Sequence, residues 1–318
     1  MILLTGAAGY IGSHIAFLLN KKKIPFIGID NFSTNNRFNK MHSIIKRIDI
    51  GSKKKIKLLI KKKKITHIIH SAAYSYPVES ENKKIKYKNN NYKKTLDFIN
   101  CFKGSKIKSF IFLSSSNVYS DKKNSQLKET DKTNSKNNYG RYKFLIEKYL
   151  KNNRYFDKVI IFRLFNVVGY FDDLKYKLHN STNQRLITKL LFSIHQKKTL
   201  KLNYYKINGK LYSPKRDFID IKYVVKAILL TIKRKNIFKK YNIFNLGSGK
   251  AISLEDLIFH IEKIKKKKIK LKRTLINSKE LFNTWSSKNK IEKKLSIKIR
   301  SSLNNIIISS IKNFNLNV

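Results

Sequence analysis

A strand that runs directly into three evenly spaced glycines constrains this chain more than any other feature. Met1-Ile2-Leu3-Leu4-Thr5 leads into Gly6, Gly9 and Gly12, with Tyr10 and Ile11 between the last two and a helical stretch after them. Gly6 permits a tight turn, Gly9 lets backbone N–H groups approach a pyrophosphate, and Gly12 lets the new helix pack closely on the sheet. The opening of the chain therefore predicts a nucleotide pocket.

One helix later, Pro25-Phe26-Ile27-Gly28-Ile29 reads as a second strand and ends in Asp30, followed by Asn31. A carboxylate about twenty residues beyond the glycine turn can accept both hydroxyls of an adenosine ribose and repels a 2'-phosphate, which favours NAD over NADP. A third apolar run, Ile65 to His70, ends in Ser71-Ala72-Ala73, where small residues leave room for a dinucleotide at the strand end.

A different chemistry is predicted further along. Tyr139 and Lys143 are four residues apart, so on a helix they share a face and can point into one cleft. A free phenol has a pKa of about 10 and is a poor base at neutral pH. A lysine and a positively charged nicotinamide beside it favour the phenolate, at roughly 1.4 kcal/mol per pKa unit. Upstream, the strand-like run from Phe110 ends in Ser114-Ser115-Ser116, and a strand-end serine can share a proton with both the phenol and a sugar hydroxyl.

The G-x-x-G-x-x-G spacing and the order of these motifs resemble the extended short-chain dehydrogenase/reductases, and among them the UDP-glucose 4-epimerases. The resemblance runs through Asp49-Ile50, Ala72-Ala73, Val78-Glu79-Ser80, Asn90-Asn91, Ser114-Ser115-Ser116, Tyr139 with Lys143, Arg163-Leu164-Phe165-Asn166 and Arg216-Asp217 to Asn245-Leu246-Gly247-Ser248-Gly249. It implies an α/β fold, a Rossmann-like doubly wound parallel sheet with a smaller mixed α/β substrate lobe. It implies NAD, held by Gly6, Gly9, Tyr10, Ile11, Gly12, Asp30, Asn31, Asp49, Ile50, Ala72, Ala73, Asn90, Tyr139, Lys143 and Phe165. Ser115, Tyr139 and Lys143 fall at the catalytic positions, and Ser115, Asn166, Arg185 and Arg216 where a UDP-hexose is bound. An arginine fork suits a diphosphate oxygen pair. The implied reaction passes through a 4-keto sugar that turns about its link to the diphosphate, and the family's usual assembly is a homodimer.

At 318 residues the chain is long enough for about two domains of ordinary size. Residues 1–168 alternate strand and helix as a parallel sheet requires, and the resemblance returns about 217–246 to that NAD-binding domain. It assigns about 169–216 and 247–318 to the nucleotide-sugar lobe. The net charge is +52, from 71 basic and 19 acidic side chains. Such a charge suggests nucleic acid, but the lysines are spread over every helix and loop and accompany no recognition helix, zinc site or aromatic RNA-binding signature. Biased Lys, Asn and Ile usage explains them, and no specific nucleic-acid partner is expected. The lone Cys101 excludes an internal disulfide and suits a reducing compartment, and no stretch is long and apolar enough to span a bilayer, so a cytoplasmic protein with no membrane partner is expected. Seven histidines show no metal-ligand grouping, and no metal is expected; His67 and His70 read as packing or surface residues.

Several positions depart from the epimerase pattern. Ser75 replaces a family lysine, Asn117 a threonine or serine, and Ser287 an acid. Asn277 stands where the family has a phosphate-gripping arginine, and Arg185 where it has an asparagine. The glycine-rich loop before Arg216 becomes Tyr204 to Lys215. Thr284, beside Trp285, occupies a gate where a small residue resembles members that accept N-acetylhexosamines. Alternatives are therefore a UDP-N-acetylglucosamine 4-epimerase, a 4,6-dehydratase or a non-catalytic NAD-binding regulator. Against the dehydratase, Ser116-Asn117 lacks the added acid pair that eliminating water requires.

Overall fold

The computed structural model describes residues 1–34, 44–120, 125–174, 185–275 and 281–315. Asn277 lies outside them. Seven parallel strands form the main sheet: β1 (Ile2–Thr5), β2 (Phe26–Asp30), β3 (Ile45–Arg47), β4 (His67–His70), β5 (Ser109–Ser115), β6 (Val159–Leu164) and β12 (Tyr241–Leu246). Their order is β12-β6-β5-β4-β1-β2-β3, so the chain reverses direction across the sheet between β1 and β4. In sheets wound this way, ligands bind at the carboxyl ends of the strands where that reversal opens a crevice.

Strand alternation explains why both faces are covered. Ile2, Leu4, Ile69, Ile111, Leu113, Ile160 and Phe162 belong to one buried cluster, while Leu3, Ile68, Phe110, Phe112 and Ile161 belong to another. Successive strand side chains point to opposite faces, so continuous apolar runs need a helical layer on each side. Helices α1 (Tyr10–Lys21) and α8 (Ile221–Lys233) contribute Ile15, Leu19, Val224 and Ile228 to the first cluster. Helices α2 (Lys53–Lys62), α5 (Lys94–Asn100) and α6 (Asn138–Lys151) contribute Ile56, Phe98, Ile146 and Leu150 to the second. Between β4 and α5 run the short helices α3 (Pro77–Asn82) and α4 (Lys84–Tyr87) and a π-helical turn at Lys88–Lys93.

Smaller sheets complete the described chain. Strand β7 (Asn166–Val168) pairs with β11 (Phe218–Asp220), and β10 (Lys215–Arg216) with β14 (Asn283–Thr284). β8 (Leu200–Ile207) lies between β9 (Lys210–Tyr212) and β13 (Leu271–Leu275). The segment read as a loop from Tyr204 to Lys215 is thus mostly a β-hairpin. Asn208 and Gly209, both at positive φ (47° and 78°), supply its two-residue turn, the pairing that matches strand twist. Around these strands lie α7 (Leu186–Gln196), α9 (Leu254–Lys265), α10 (Asn289–Leu295) and α11 (Leu303–Asn315). Among the described residues, no helix is long and apolar enough to cross a membrane, and no cluster of His, Cys, Asp and Glu could hold a metal.

Candidate active site

The glycine turn is built by close backbone approach. Gly6 has φ of +65°, and a Cβ there would lie 2.6 Å from the Ala72 nitrogen; at Gly12 a Cβ would lie 1.9 Å from the Gly6 oxygen. Neither position accommodates a side chain, and the cradle they leave suits a pyrophosphate at the start of α1. A groove runs from this turn along Gly9, Asp30, Asn31, Ser33, Ile48, Ile50, Ala72, Ala73 and Asn90. Asp30 accepts the Ala8 N–H at 3.0 Å and the Phe32 N–H at 2.7 Å. Burial raises its carboxyl above the usual range, against the pull of those backbone donors.

Two neighbouring residues hold the groove's far wall. Asn91 accepts the Tyr74 N–H and donates to the Tyr74 carbonyl, fixing the loop after Ala73. Asp49 does not itself line the groove; its carboxylate accepts bonds from Asn31 Nδ2, Lys94 Nζ and the Gly51 N–H. Burial works against its charge, but Lys94, Asn31 and Gly51 together keep its pKa low. Asp49 thus orients Asn31 and the adjoining Ile48 and Ile50.

A second cavity, of about 270 Å³, opens beside the ends of β5 and β6. Its walls include Ile11, Ser115, Asn117, Tyr139, Phe165, Asn166 and Arg185. Tyr139 enters it from the first turn of α6, which is anchored at several points. The Tyr139 N–H donates to Ser80 Oγ, Asn138 donates to Glu81 Oε1, and the N-cap Asn137 accepts the Gly140 N–H at 2.9 Å. Gly140 has to be glycine, because a Cβ there would sit 2.1 Å from the Asn117 carbonyl oxygen. Burial raises the pKa of the Tyr139 phenol, while the Ser115 hydroxyl and the Arg185 guanidinium pull it back.

Lys143 differs from the expectation. It shares the helix face with Tyr139 but does not reach the cavity wall: its Nζ donates to the Leu113 carbonyl at 2.7 Å and lies 4.7 Å from the centre of the Phe112 ring. Burial lowers its pKa to about 7, although Glu147 pulls the other way. In this structure the cations near the phenol are therefore divided, with Arg185 in the cavity and Lys143 behind it. Arg185 stands at the head of α7, stacks 3.9 Å from the Tyr10 ring centre and donates to the Val167 carbonyl. The Tyr10 phenol itself donates to the Gly169 carbonyl at 2.5 Å.

Other positions singled out in the sequence do structural work. Arg216 is not on the wall of this cavity; its guanidinium donates to the Lys215 and Phe282 carbonyls, and its strand pairs with Thr284. Arg163 and Glu147 form a buried ion pair at 2.7 Å that also receives the Ser114 hydroxyl. Asp217 is fully buried and accepts from Ser248, Gly249 and Ser286, tying the Asn245–Gly249 turn to the segment after β14. Asn137, Gly140 and Glu81 escaped the sequence reading. The helix-start pattern Ser135 to Gly140 was the available signal for Asn137 and Gly140; Glu81, on α3, had no local signal.

The Rossmann-like sheet, the glycine turn and a buried tyrosine over one cleft define a dinucleotide-dependent enzyme fold. More narrowly, residues 2–247 match the family model described as the NAD dependent epimerase/dehydratase family, and the chain belongs to that family. It is 27% identical over 271 residues to the UDP-glucose 4-epimerase of Lactobacillus helveticus, covering 83% of this chain and 81% of that one. Its fold matches the UDP-glucose 4-epimerase of Brucella ovis, solved in complex with NAD, with a TM-score of 0.89 and 22% identity over 98% of both chains. It also matches a UDP-N-acetylglucosamine 4-epimerase from Methanobrevibacter ruminantium, solved in complex with UDP-N-acetylmuramic acid. That match has a TM-score of 0.81 and 25% identity over 98% of this chain and 97% of the other.

Proposed function

We propose that this protein is an NAD-dependent UDP-hexose 4-epimerase that interconverts UDP-glucose and UDP-galactose. The observation that carries the reading is the placement of Ser115 and Tyr139 on one cavity wall with Phe165, Asn166 and Arg185, beyond a glycine cradle in which a Cβ has no room. Gly6, Gly9, Gly12 and the N–H groups of Tyr10 and Ile11 hold the pyrophosphate of NAD; Asp30 takes the adenosine ribose hydroxyls, and Ala72, Ala73 and Asn90 flank the dinucleotide. When bound, NAD supplies a reversible oxidant for the sugar C4 carbon, so a 4-keto sugar is transient and no net oxidation results. Tyr139 removes the proton of the 4-hydroxyl and returns it after the sugar has turned. Ser115 bonds to the phenol during both steps, and Lys143 supports the strand end beneath it. Asn166 and Arg185 bind the nucleotide sugar, and Arg216, whose guanidinium rests on the Lys215 and Phe282 carbonyls outside this cavity, turns from them to reach the diphosphate. The lobe over the sugar comprises about 169–216 and 247–318, and the protein acts in the cytoplasm as a homodimer without a specific nucleic-acid partner.

The test is incubation of the NAD-loaded protein with UDP-glucose, followed by chromatography for UDP-galactose and absorbance for reduced cofactor. Formation of UDP-galactose is expected. Protein that retains NAD yet converts neither UDP-glucose nor UDP-N-acetylglucosamine would end the epimerase reading.

A further inference from the structure

Ser115 is joined to the helix that carries Tyr139 by an unbroken chain of amides, and the direction of every bond in that chain is forced. The Gly140 N–H can only donate, so the carbonyl oxygen of Asn137 faces it, at 2.9 Å. The Asn137 amide nitrogen is thereby turned to Asn117, donating to its Oδ1 at 3.1 Å. Asn117 must in turn aim its own Nδ2 at Ser115 Oγ, which it reaches at 3.2 Å, and the Asn117 backbone N–H reaches the same oxygen at 3.2 Å. An amide side chain is ordinarily ambiguous between its two orientations. A fixed backbone donor at one end removes that ambiguity for both asparagines.

A serine hydroxyl has one proton and two lone pairs. Both lone pairs of Ser115 are occupied by Asn117, which leaves its proton free to point only into the cavity, where the Tyr139 phenol lies. We propose that Asn117 and Asn137 are positioning residues that make Ser115 a one-way hydrogen-bond donor to Tyr139, so that the sugar proton passes directly to the phenol rather than through the serine. The inference rests on the epimerase reading for its catalytic meaning, but its geometry stands on the bonds named above. It also gives a role to Asn117, where the sequence departs from the threonine or serine of similar proteins: a hydroxyl there is too short to bridge Asn137 and Ser115.

The other groups acting on the phenol are Arg185 at the head of α7 and Tyr87 from α4; Lys143, one turn along α6, lies behind it on the Leu113 carbonyl. None of them is altered by breaking the amide chain. The experiment is an ultraviolet difference titration of Tyr139 in the NAD-loaded protein, each variant being compared with its own Tyr139→Phe counterpart. Asn137→Ser keeps an N-cap oxygen and loses the link to Asn117. Asn117→Ser restores the residue type of similar proteins and also breaks the chain. Each is expected to raise the Tyr139 midpoint by about one pH unit, the size of one lost bond to the charged form, and the double variant to raise it no further. An unmoved midpoint in both, or additive shifts, overturns the inference. The midpoint is read without substrate, so a shift in protein that turns over no UDP-hexose would sustain the relay and reject the epimerase reading. Normal turnover with an unmoved midpoint would do the reverse.

Discussion

The two ends of the cleft are made from different materials. At the glycine end the ligand site is backbone: Gly6 and Gly12 exclude any Cβ. At the tyrosine end it is a side-chain network, in which Ser80, Glu81, Asn117 and Asn137 hold the head of α6 against the end of β5. A backbone site has few solutions in sequence, whereas a polar network can be rebuilt from other side chains with similar reach. The tyrosine end is accordingly where Asn117 and Arg185 depart from similar proteins, while the glycine end keeps its pattern.

The difference is tested most severely by Tyr139→Phe. The variant loses one hydroxyl at the network end and nothing at the backbone end, so bound NAD should be retained while kcat falls by about 10²- to 10⁴-fold. Loss of NAD along with activity would show that the two ends are not separable.

Two buried histidines, packed into the clusters on opposite faces of the sheet, bear on acid stability. His14 on α1 and His70 at the end of β4 are fully buried, and burial depresses their pKa values to about 4 and about 3, Arg185 adding to the effect at His14 and Lys143 at His70. The unfolded chain binds protons on these imidazoles near pH 6.5, before the folded chain does. Their contribution to stability is therefore complete above about pH 6.5 and is lost as the pH falls towards 4 and then 3. At about 1.4 kcal/mol per pH unit this amounts to roughly 3 kcal/mol for His14 and roughly 5 kcal/mol for His70. Melting temperature measured from pH 7.5 to 4.5 should fall, and His70→Asn should flatten the slope; a slope identical to that of the parent protein would remove His70 from the explanation.

Gly12→Ala probes the backbone end. Its Cβ would meet the Gly6 oxygen at 1.9 Å, so α1 must move, at about 1–3 kcal/mol. NAD affinity should fall with stability. At Gly9 the same oxygen is 3.3 Å from a built Cβ, and Gly9→Ala should cost clearly less in melting temperature.

These contrasts explain what could be read from sequence. The order of β1, the glycine turn, α1 and Asp30 was legible because steric exclusion restricts the residue type at each step. Tyr139 and Ser115 were legible as chemistry, and the structure brings them to one wall. Lys143 was placed on the right face of the helix, yet its ammonium turns to the Leu113 carbonyl, a bond between residues thirty apart that no local spacing encodes. The hairpin of β8 and β9 was hidden for a related reason. Tyr204 to Lys215 is rich in lysine and tyrosine without clear alternation, and its pairing with β13 depends on residues about seventy positions away. Asp217 was visible only as half of a motif, because its five bonds come from two distant segments.

Arg185→Asn carries the smallest expected effect and bears most directly on how far the side-chain end has been rebuilt. The guanidinium is held by the Tyr10 ring and the Val167 carbonyl, so its direction into the cavity is set before any ligand arrives. An asparagine in its place loses a charge-assisted bond to a diphosphate, worth about 1.5 kcal/mol, and should raise the KM for UDP-glucose about tenfold. Because Arg185 also pulls the Tyr139 phenol down, the ascending limb of kcat should move to higher pH while its plateau stays within about twofold. A changed KM with an unmoved limb would confine Arg185 to binding. A moved limb with an unchanged KM would make it a cation acting on the phenol, sharing the role that the sequence analysis gave to Lys143 and the nicotinamide.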